Sequence, residues 1–405
     1  MNVEAVKKQF PIFNKANPAG NELIYLDNAA TTQKPQVVID AIADYYAGYN
    51  SNVGRGSYWP ATAATIAFKE ARNTVQDFIN ARTHKECIFT SGTTDAINKV
   101  ANNYLIPNLT SADSVIVTEM EHHGNFVPWQ QACLSSGAKL KVIPLRDNGD
   151  LDYEAYEQLL DDSVRMVAVT AISNALGTKN DLKRIVEAAR AFNTAVLIDA
   201  AQLVTHEKID VQQLDCDFLV FSGHKLFGPT GIGVLYGKED LLEGIPPLSY
   251  GGGMVKQVTV EETIFADLPE KHEGGTSNIA GVIGLGAAIC FVNKLGLTAI
   301  HEHTKSLTDY TLVKLGDLDG VRILGLPDER ASVISLAVEK VHPHDVASFL
   351  SERGIAIRAG HHCTHPLMKR LGVQGTCRVS FGIYNKPEEV DMLIEGLIEV
   401  RDFFA

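Results

Sequence analysis

Between about residues 62 and 295, short apolar runs alternate with stretches of helical period. The runs are "ECIFT" (86–90), "SVIVTEM" (114–120), "KLKVIPL" (139–145), "RMVAVTAIS" (165–173), "TAVLIDAAQ" (194–202), "DFLVFSGHK" (217–225) and "GIGVLYG" (231–237). Val and Ile dominate them, and helical patterns such as "LKRIVEAARAF" (182–192) separate several. Continuous apolar strands between helices predict a mostly parallel sheet covered on both faces. Ligands of such sheets bind beyond the carboxyl ends of the strands, so the chemistry is sought there.

After residue 237 the rhythm changes. The Gly-rich stretch 249–281 contains "VKQVTVEE", whose alternation predicts one strand of a hairpin. "GVIGLGAAICFVNKLG" (281–296) reads as a helix rich in small residues, and 298–316 as a long helix. Strand patterns then lie more sparsely among helices ("RILG", "SVISLAV", "IAIRAG", "CRVSFGI") before a final helix from "KPEEV" onward. The expected division is a large α/β domain over 26–295 and a smaller α/β domain over 296–405 joined by the N-terminal segment 1–25.

Composition narrows the class. The chain has 405 residues, 45% hydrophobic and 21% charged, which is ordinary for a folded protein and argues against disorder. The net charge is −13 and no Lys/Arg run is present, which argues against nucleic-acid binding. No apolar run approaches the roughly 18 residues that a membrane span needs, and the N-terminus has no apolar signal core. Six scattered cysteines form no CxxC pair. The expectation is a cytoplasmic enzyme with reduced cysteines.

Four strand ends carry candidate chemistry. In "FTSGTTDAIN" a strand meets a helix expected to begin near Asp95, and Gly92, Thr93 and Thr94 precede it. Such a junction binds anions through free amides and the helix dipole; an ordinary capping turn is the alternative. Asp199 closes an otherwise apolar strand, where a carboxylate needs a partner: a protonated ring nitrogen, a cap or an ion pair. Lys225 follows the run "FLVFSGHK" with apolar sequence on both sides, and burial turns a lysine amine into a nucleophile. Ser222 and His224 flank it as phosphate ligands. His122 and His123 follow "SVIVT", and Asn174 sits at another strand end; a histidine there stacks on a ring or shuttles a proton, or is a hydrogen-bonded surface residue. Together these are the parts that pyridoxal phosphate requires.

The motifs "YLDNAATTQKP", "GTTDAIN", "EHHGNFVPW", "SNALGT", "IDAAQ", "FSGHKLFGPTGIG", "EGGTSNIAG", "RAGHHCTHPLM" and "CRVSFGIYN" follow one another in this order. The chain thereby resembles the fold-type I pyridoxal-phosphate enzymes of the class V aminotransferase branch. It is most similar to the group II (Suf/Csd-type) cysteine desulfurases, over nearly its whole length. The resemblance implies a seven-stranded sheet and pyridoxal 5'-phosphate held as a Schiff base on Lys225. It implies that Asp199 pairs with the pyridine nitrogen, Gln202 reaches the ring oxygen, and His123 stacks on the ring. Thr93, Thr94, Ser222 and His224 would bind phosphate, with Thr276 completing the cradle across a homodimer interface. Arg378 and Asn174 would hold the substrate carboxylate, and Arg358 would assist electrostatically and in substrate binding. Cys363 would take sulfur from L-cysteine as a persulfide, leaving L-alanine, and pass it to a small sulfur-acceptor protein in iron–sulfur or related metabolism. The stretch 250–275 matches the region of the group's β-hairpin.

One departure stands out. Group II members commonly read His-Arg-Gly where this chain has Gly54-Arg55-Gly56. Three alternatives remain at this level: a selenocysteine lyase on the same scaffold, a class V enzyme that makes no persulfide, and a metal-binding protein built on His361, His362, Cys363 and His365. Adjacent residues of an extended segment point to opposite faces, and no second ligand pair has zinc spacing, so no metal is expected.

Overall fold

The computed structural model describes residues 1–17 and 20–404. Pro18 and Ala19, inside the expected segment 1–25, and Ala405, at the end of 296–405, lie outside the described residues. In chain order the strands begin with β1 (Ile24–Tyr25), β2 (Cys87–Thr90), β3 (Ser114–Thr118), β4 (Lys139–Ile143), β5 (Val164–Thr170), β6 (Ala195–Asp199), β7 (Phe218–Ser222) and β8 (Gly233–Gly237). All but β1 form a seven-stranded sheet in the order β2-β8-β7-β6-β5-β3-β4. Strand β8 pairs antiparallel with both neighbours, and every other pairing is parallel.

The apolar runs are continuous because each sheet face has its own core. In β6, Val196 and Ile198 enter one hydrophobic cluster and Ala195 and Leu197 the other. In β7, Leu219 and Phe221 face the first, Phe218 and Val220 the second. Successive side chains of a strand point to opposite faces, so a strand covered on both sides must be apolar at every position.

The strands after β8 are β9 (Val255–Val258), β10 (Thr263–Phe265), β11 (Val321–Leu324), β12 (Val333–Val338), β13 (Ile355–Ala356), β14 (Arg358–Gly360) and β15 (Thr376–Ser380). Strands β9 and β10 form the antiparallel hairpin predicted around "VKQVTVEE". A four-stranded antiparallel sheet has the order β11-β12-β15-β14. A third core packs against it, with Ile334, Leu336 and Val379 from its strands and Leu393 and Leu397 from the C-terminal helix Pro387–Phe404. Ile24 and Leu26 join this core, and β1 pairs in parallel with β13. The N-terminal segment therefore returns to the C-terminal part of the chain.

Helix Ile279–Leu295 is largely buried, and Gly296 at φ +85° turns the chain into Leu297–Gly316 at a bend of 76°. Among the described residues no single helix is long and apolar enough to cross a membrane.

Candidate active site

The carboxyl ends of β5, β6 and β7 converge on one cavity of about 320 Å³. Thr170, Asp199 and Ser222 end those strands and line it. Thr93 and Thr94 enter from the helix after β2, Asn174 from the turn after β5, and Arg358, Cys363 and Arg378 from the small sheet and its loop. Gln202, His224 and Lys225 complete the sequence-expected residues that the fold brings together here.

One wall is built to approach an anion. The helix opens at Thr93, two residues earlier than the sequence pattern indicated, with Gly92 as its cap at φ +153°. Ser222 Oγ accepts from the Thr93 amide at 2.8 Å and lies 2.8 Å from Thr93 Oγ1. Behind Gly92 stands Gly233 of β8. A Cβ on Gly233 would come within 2.5 Å of Gly92 Cα, so only glycine lets the loop lie this close to the sheet. His224 offers its carbonyl to Thr32 Oγ1 at 3.1 Å and to Lys34 Nζ at 2.8 Å, which fixes the chain just before Lys225.

The central groups are tuned by burial. Burial pushes the Lys225 amine down to about 8; Asp199 opposes this, and Arg378 adds to it. Burial raises the Asp199 carboxyl above its ordinary range, against the pull of Lys225. Asp199 Oδ1 accepts from the Ala201 amide at 2.9 Å, which fixes the carboxylate while leaving it available to a ligand. Gln202 Nε2 donates to Ala29 O at 2.8 Å. These residues fit pyridoxal phosphate. The Gly92–Thr93 helix start suits the phosphate, Asp199 a protonated ring nitrogen, and Lys225 a Schiff base.

Two expectations meet a different geometry. The histidine that lines the cavity is His122, whose burial, together with Lys225 and His123, holds its pKa down to about 4. Neighbouring residues of the turn after β3 point apart, and His123 turns to the cysteine loop. Its amide donates to Cys363 O at 2.7 Å and its Nε2 accepts from the His365 amide at 3.1 Å. Thr276 lies outside this cavity and lines a separate recess with Gly54, Arg55 and Gly56.

The sequence reading also passed over Asp27, Glu121 and Lys34. Arg358 and Arg378 are directly opposite on β14 and β15, a repulsive pairing if left alone. Asp27 lies between them: its Oδ2 accepts from Arg358 Nε at 3.0 Å and Nη2 at 2.8 Å, and its Oδ1 from Arg378 Nη2 at 2.9 Å. Arg378 also donates to Asn174 O at 2.9 Å, while its buried Nε has no partner among the described residues. Glu121, beneath His122, is raised to about 8 by burial and accepts from the Thr170 amide at 2.9 Å. Burial lowers Lys34 to about 7. Asp27 follows the apolar "IYL" as Asp199 follows "VLI"; the argument applied to one carboxylate was available for the other.

Cys363 reaches the cavity on a constrained turn. His362 and Cys363 are both left-handed, at φ +52° and +57°. Two consecutive non-glycine residues in that region each cost about 1–3 kcal/mol, so surrounding contacts must hold them. Asn174 Nδ2 donates to His362 O at 2.9 Å, and His362 Nε2 lies 2.7 Å from Thr376 Oγ1. Burial, with Arg378 and Arg358, lowers His362 to about 3, so it remains neutral. All six cysteines are free thiols, and Cys363 is exposed. Among the described residues no group of three or more His, Cys, Asp or Glu is placed to hold a metal ion.

A model of the aminotransferase class-V family matches residues 24–393. A probable cysteine desulfurase of Halalkalibacterium halodurans is 47% identical over 405 residues, covering 100% of this chain and 99% of the relative. A cysteine desulfurase of Yersinia pestis is 47% identical over 400 residues, covering 98% of each. The crystal structure of the cysteine desulfurase CsdA of Escherichia coli superposes with a TM-score of 0.92 at 37% identity and covers 100% of both chains. With a family model matching residues 24–393 and relatives at 47% identity over the whole chain, the chain belongs to the aminotransferase class-V family, where its relatives are cysteine desulfurases.

Proposed function

We propose that the protein is a pyridoxal-phosphate-dependent cysteine desulfurase of group II that converts L-cysteine to L-alanine and carries the sulfur as a persulfide on Cys363. The observation that carries this reading is the exposed Cys363 thiol on a left-handed turn at the same cavity as Lys225 and Asp199. Thr93, Thr94, Ser222 and His224 hold the phosphate, Gln202 the ring oxygen and Asp199 the ring nitrogen. The ring-face role passes from His123 to His122, the histidine that lines the cavity. Thr276 reaches a phosphate only from a partner subunit, so a homodimer is part of the proposal, as is the domain division 26–295 against 1–25 with 296–405.

The bound cofactor supplies an electron sink for the substrate's Cα. The chain's own residues do the rest. Arg378, with Asn174 and Arg358 beside it, orients the substrate carboxylate, its guanidinium held in place by Asp27 and the Asn174 carbonyl. Lys225 Nζ, whose burial favours the neutral amine, takes the α-proton. The Cys363 thiolate then attacks the substrate sulfur. The S–S bond forms, the Cβ–S bond breaks with its electron pair left on the substrate, and Cβ and then Cα are protonated, Cα by the proton that Lys225 took, to give alanine. The tight turn limits how far the persulfide travels, which favours delivery to a small acceptor protein in the cytoplasm.

The test is Cys363→Ser. It retains the absorbance of the bound cofactor and loses alanine formation from L-cysteine. Alanine formation near the original rate would refute the nucleophile assignment. Running L-selenocysteine in parallel with L-cysteine separates this reading from a selenocysteine lyase.

A further inference from the structure

The turn that presents Cys363 is strained, and its hydrogen bonds identify what holds it. One tie comes from beneath, where Asn174 and Thr376 fix His362. The other comes from the turn after β3, through His123. Its backbone amide donates to Cys363 O at 2.7 Å. Its ring Nε2 accepts from the His365 amide at 3.1 Å and lies 3.0 Å from His365 Nδ1. The two imidazole planes are parallel to within 1°, with ring centres 4.9 Å apart. His361 closes the cluster, its ring centre 3.9 Å from that of His365.

The bonding pattern fixes the chemistry. An Nε2 that accepts from a backbone amide carries no proton, so His123 is neutral with its proton on Nδ1. His365 then donates from Nδ1 into the same lone pair. Burial favours this neutral form, as do the groups that face His123, namely His365 and His361 from the cysteine loop. His123 thus ties down the loop at two points, the Cys363 carbonyl through its amide and the His365 amide, two residues on, through its ring.

We propose that His123 and His365 form an imidazole clasp that positions the Cys363 turn over the Lys225 cavity, both acting as positioning residues for the sulfur-accepting thiol. The proposal rests on the assignment of Cys363 as nucleophile. The clasp supplies from one side the constraint that a pair of left-handed, non-glycine residues needs. It also explains why His123 faces away from the cavity while its neighbour His122 lines it.

The experiment compares His123→Leu, His123→Gln, His365→Phe and the unaltered homodimer, each loaded with cofactor. Gln places an oxygen near the position of Nε2 and can accept from the His365 amide; Leu cannot. Phe keeps a ring beside His123 but removes Nδ1. Because misplacing a reacting atom by about 1 Å can cost about a hundredfold, His123→Leu is expected to lower kcat for alanine formation about tenfold or more. KM for L-cysteine should stay within about twofold, because Arg378, Arg358 and Asn174 are untouched. His123→Gln should recover most of the lost kcat, and His365→Phe should lie between. The rate of Cys363 alkylation by iodoacetamide, read by peptide mass, should change in the same order. That readout concerns the thiol itself, so it stands even if Cys363→Ser keeps its activity and the nucleophile assignment fails. Leu and Gln variants with equal kcat and equal alkylation rates would overturn the clasp. A loss confined to KM, or absent in all three, would overturn it as well.

Discussion

Asp27 lies between two guanidiniums that face each other across β14 and β15. Removing it leaves Arg378, 2% exposed, without its ionic partner. Breaking a buried pair from one side typically costs about 3–5 kcal/mol. Arg358 is half in solvent, so its share is small. Asp27→Ala is therefore expected to destabilise the fold by about 3 kcal/mol in urea unfolding, mostly through Arg378. Arg378→Met combined with Asp27→Leu should be much milder, although that chain loses its carboxylate clamp. A single-variant cost below about 1 kcal/mol would contradict the ion-pair account. At this scale, residue types around strand ends were legible in the sequence: Thr93, Asp199, Ser222 and Lys225 all reach one region, while Arg378, in the middle of β15, came only with the resemblance. Side-chain direction was not legible where two histidines are adjacent. His122 and His123 have the same chemistry and nearly the same sequence context, and only the turn geometry decides which enters the cavity.

Among elements, the junction of β2 and its helix depends on the close approach of Gly92 to β8. Gly233→Ala would place a Cβ 2.5 Å from Gly92 Cα and 2.7 Å from Phe221 O, so backbone must move. The expected outcome is at least tenfold weaker binding of pyridoxal phosphate with the overall fold retained. Gly316→Ala, where a Cβ meets nothing within 4 Å, serves as the control and should leave affinity unchanged. Equal affinity in both variants would refute the close-packing argument. The strands themselves were readable because each is buried on both faces and runs apolar without interruption. The helix start at Thr93 was less readable, since threonine serves both as a residue before a helix and as a first-turn residue. The antiparallel direction of β8 is not visible in its apolar pattern, which alternates onto the two cores as in the parallel strands, but in the short connection from Ser222 to Gly233, too short for a parallel crossover.

For the whole molecule, buried neutral histidines set the acid limit of stability. His206, His272 and His362 are held down by burial to about 4, about 4 and about 3, against 6.5 in the unfolded chain. Between pH 6.5 and 4 the unfolded chain binds these protons and the folded one does not, so stability falls as pH falls. Glu121 acts in the opposite sense. Its folded pKa of about 8 exceeds the ordinary 4.5, so its contribution is present at low pH and is lost as pH rises towards 8. Each net proton is worth at most about 1.4 kcal/mol per pH unit. The urea midpoint of the cofactor-free protein is expected to drop steeply from pH 6.5 to 5, and a flat profile would contradict the burial of these groups. Strand β1 pairs with β13, and Ile24 and Leu26 enter the C-terminal core, so the first residues of the chain and its last third share one core. Thr276 lies in a recess apart from the cavity.

The central claim is that one thiol, Cys363, receives the sulfur of L-cysteine. Its most direct measurement is a single-turnover reaction with one equivalent of L-cysteine and no acceptor, in which alanine is quantified and each of the six cysteine peptides is mapped by mass after alkylation. The account predicts one alanine for each sulfur atom gained, with the added sulfur on the Cys363 peptide alone. Alanine formed without added sulfur on Cys363, or sulfur spread over Cys290 and the buried cysteines, would contradict it.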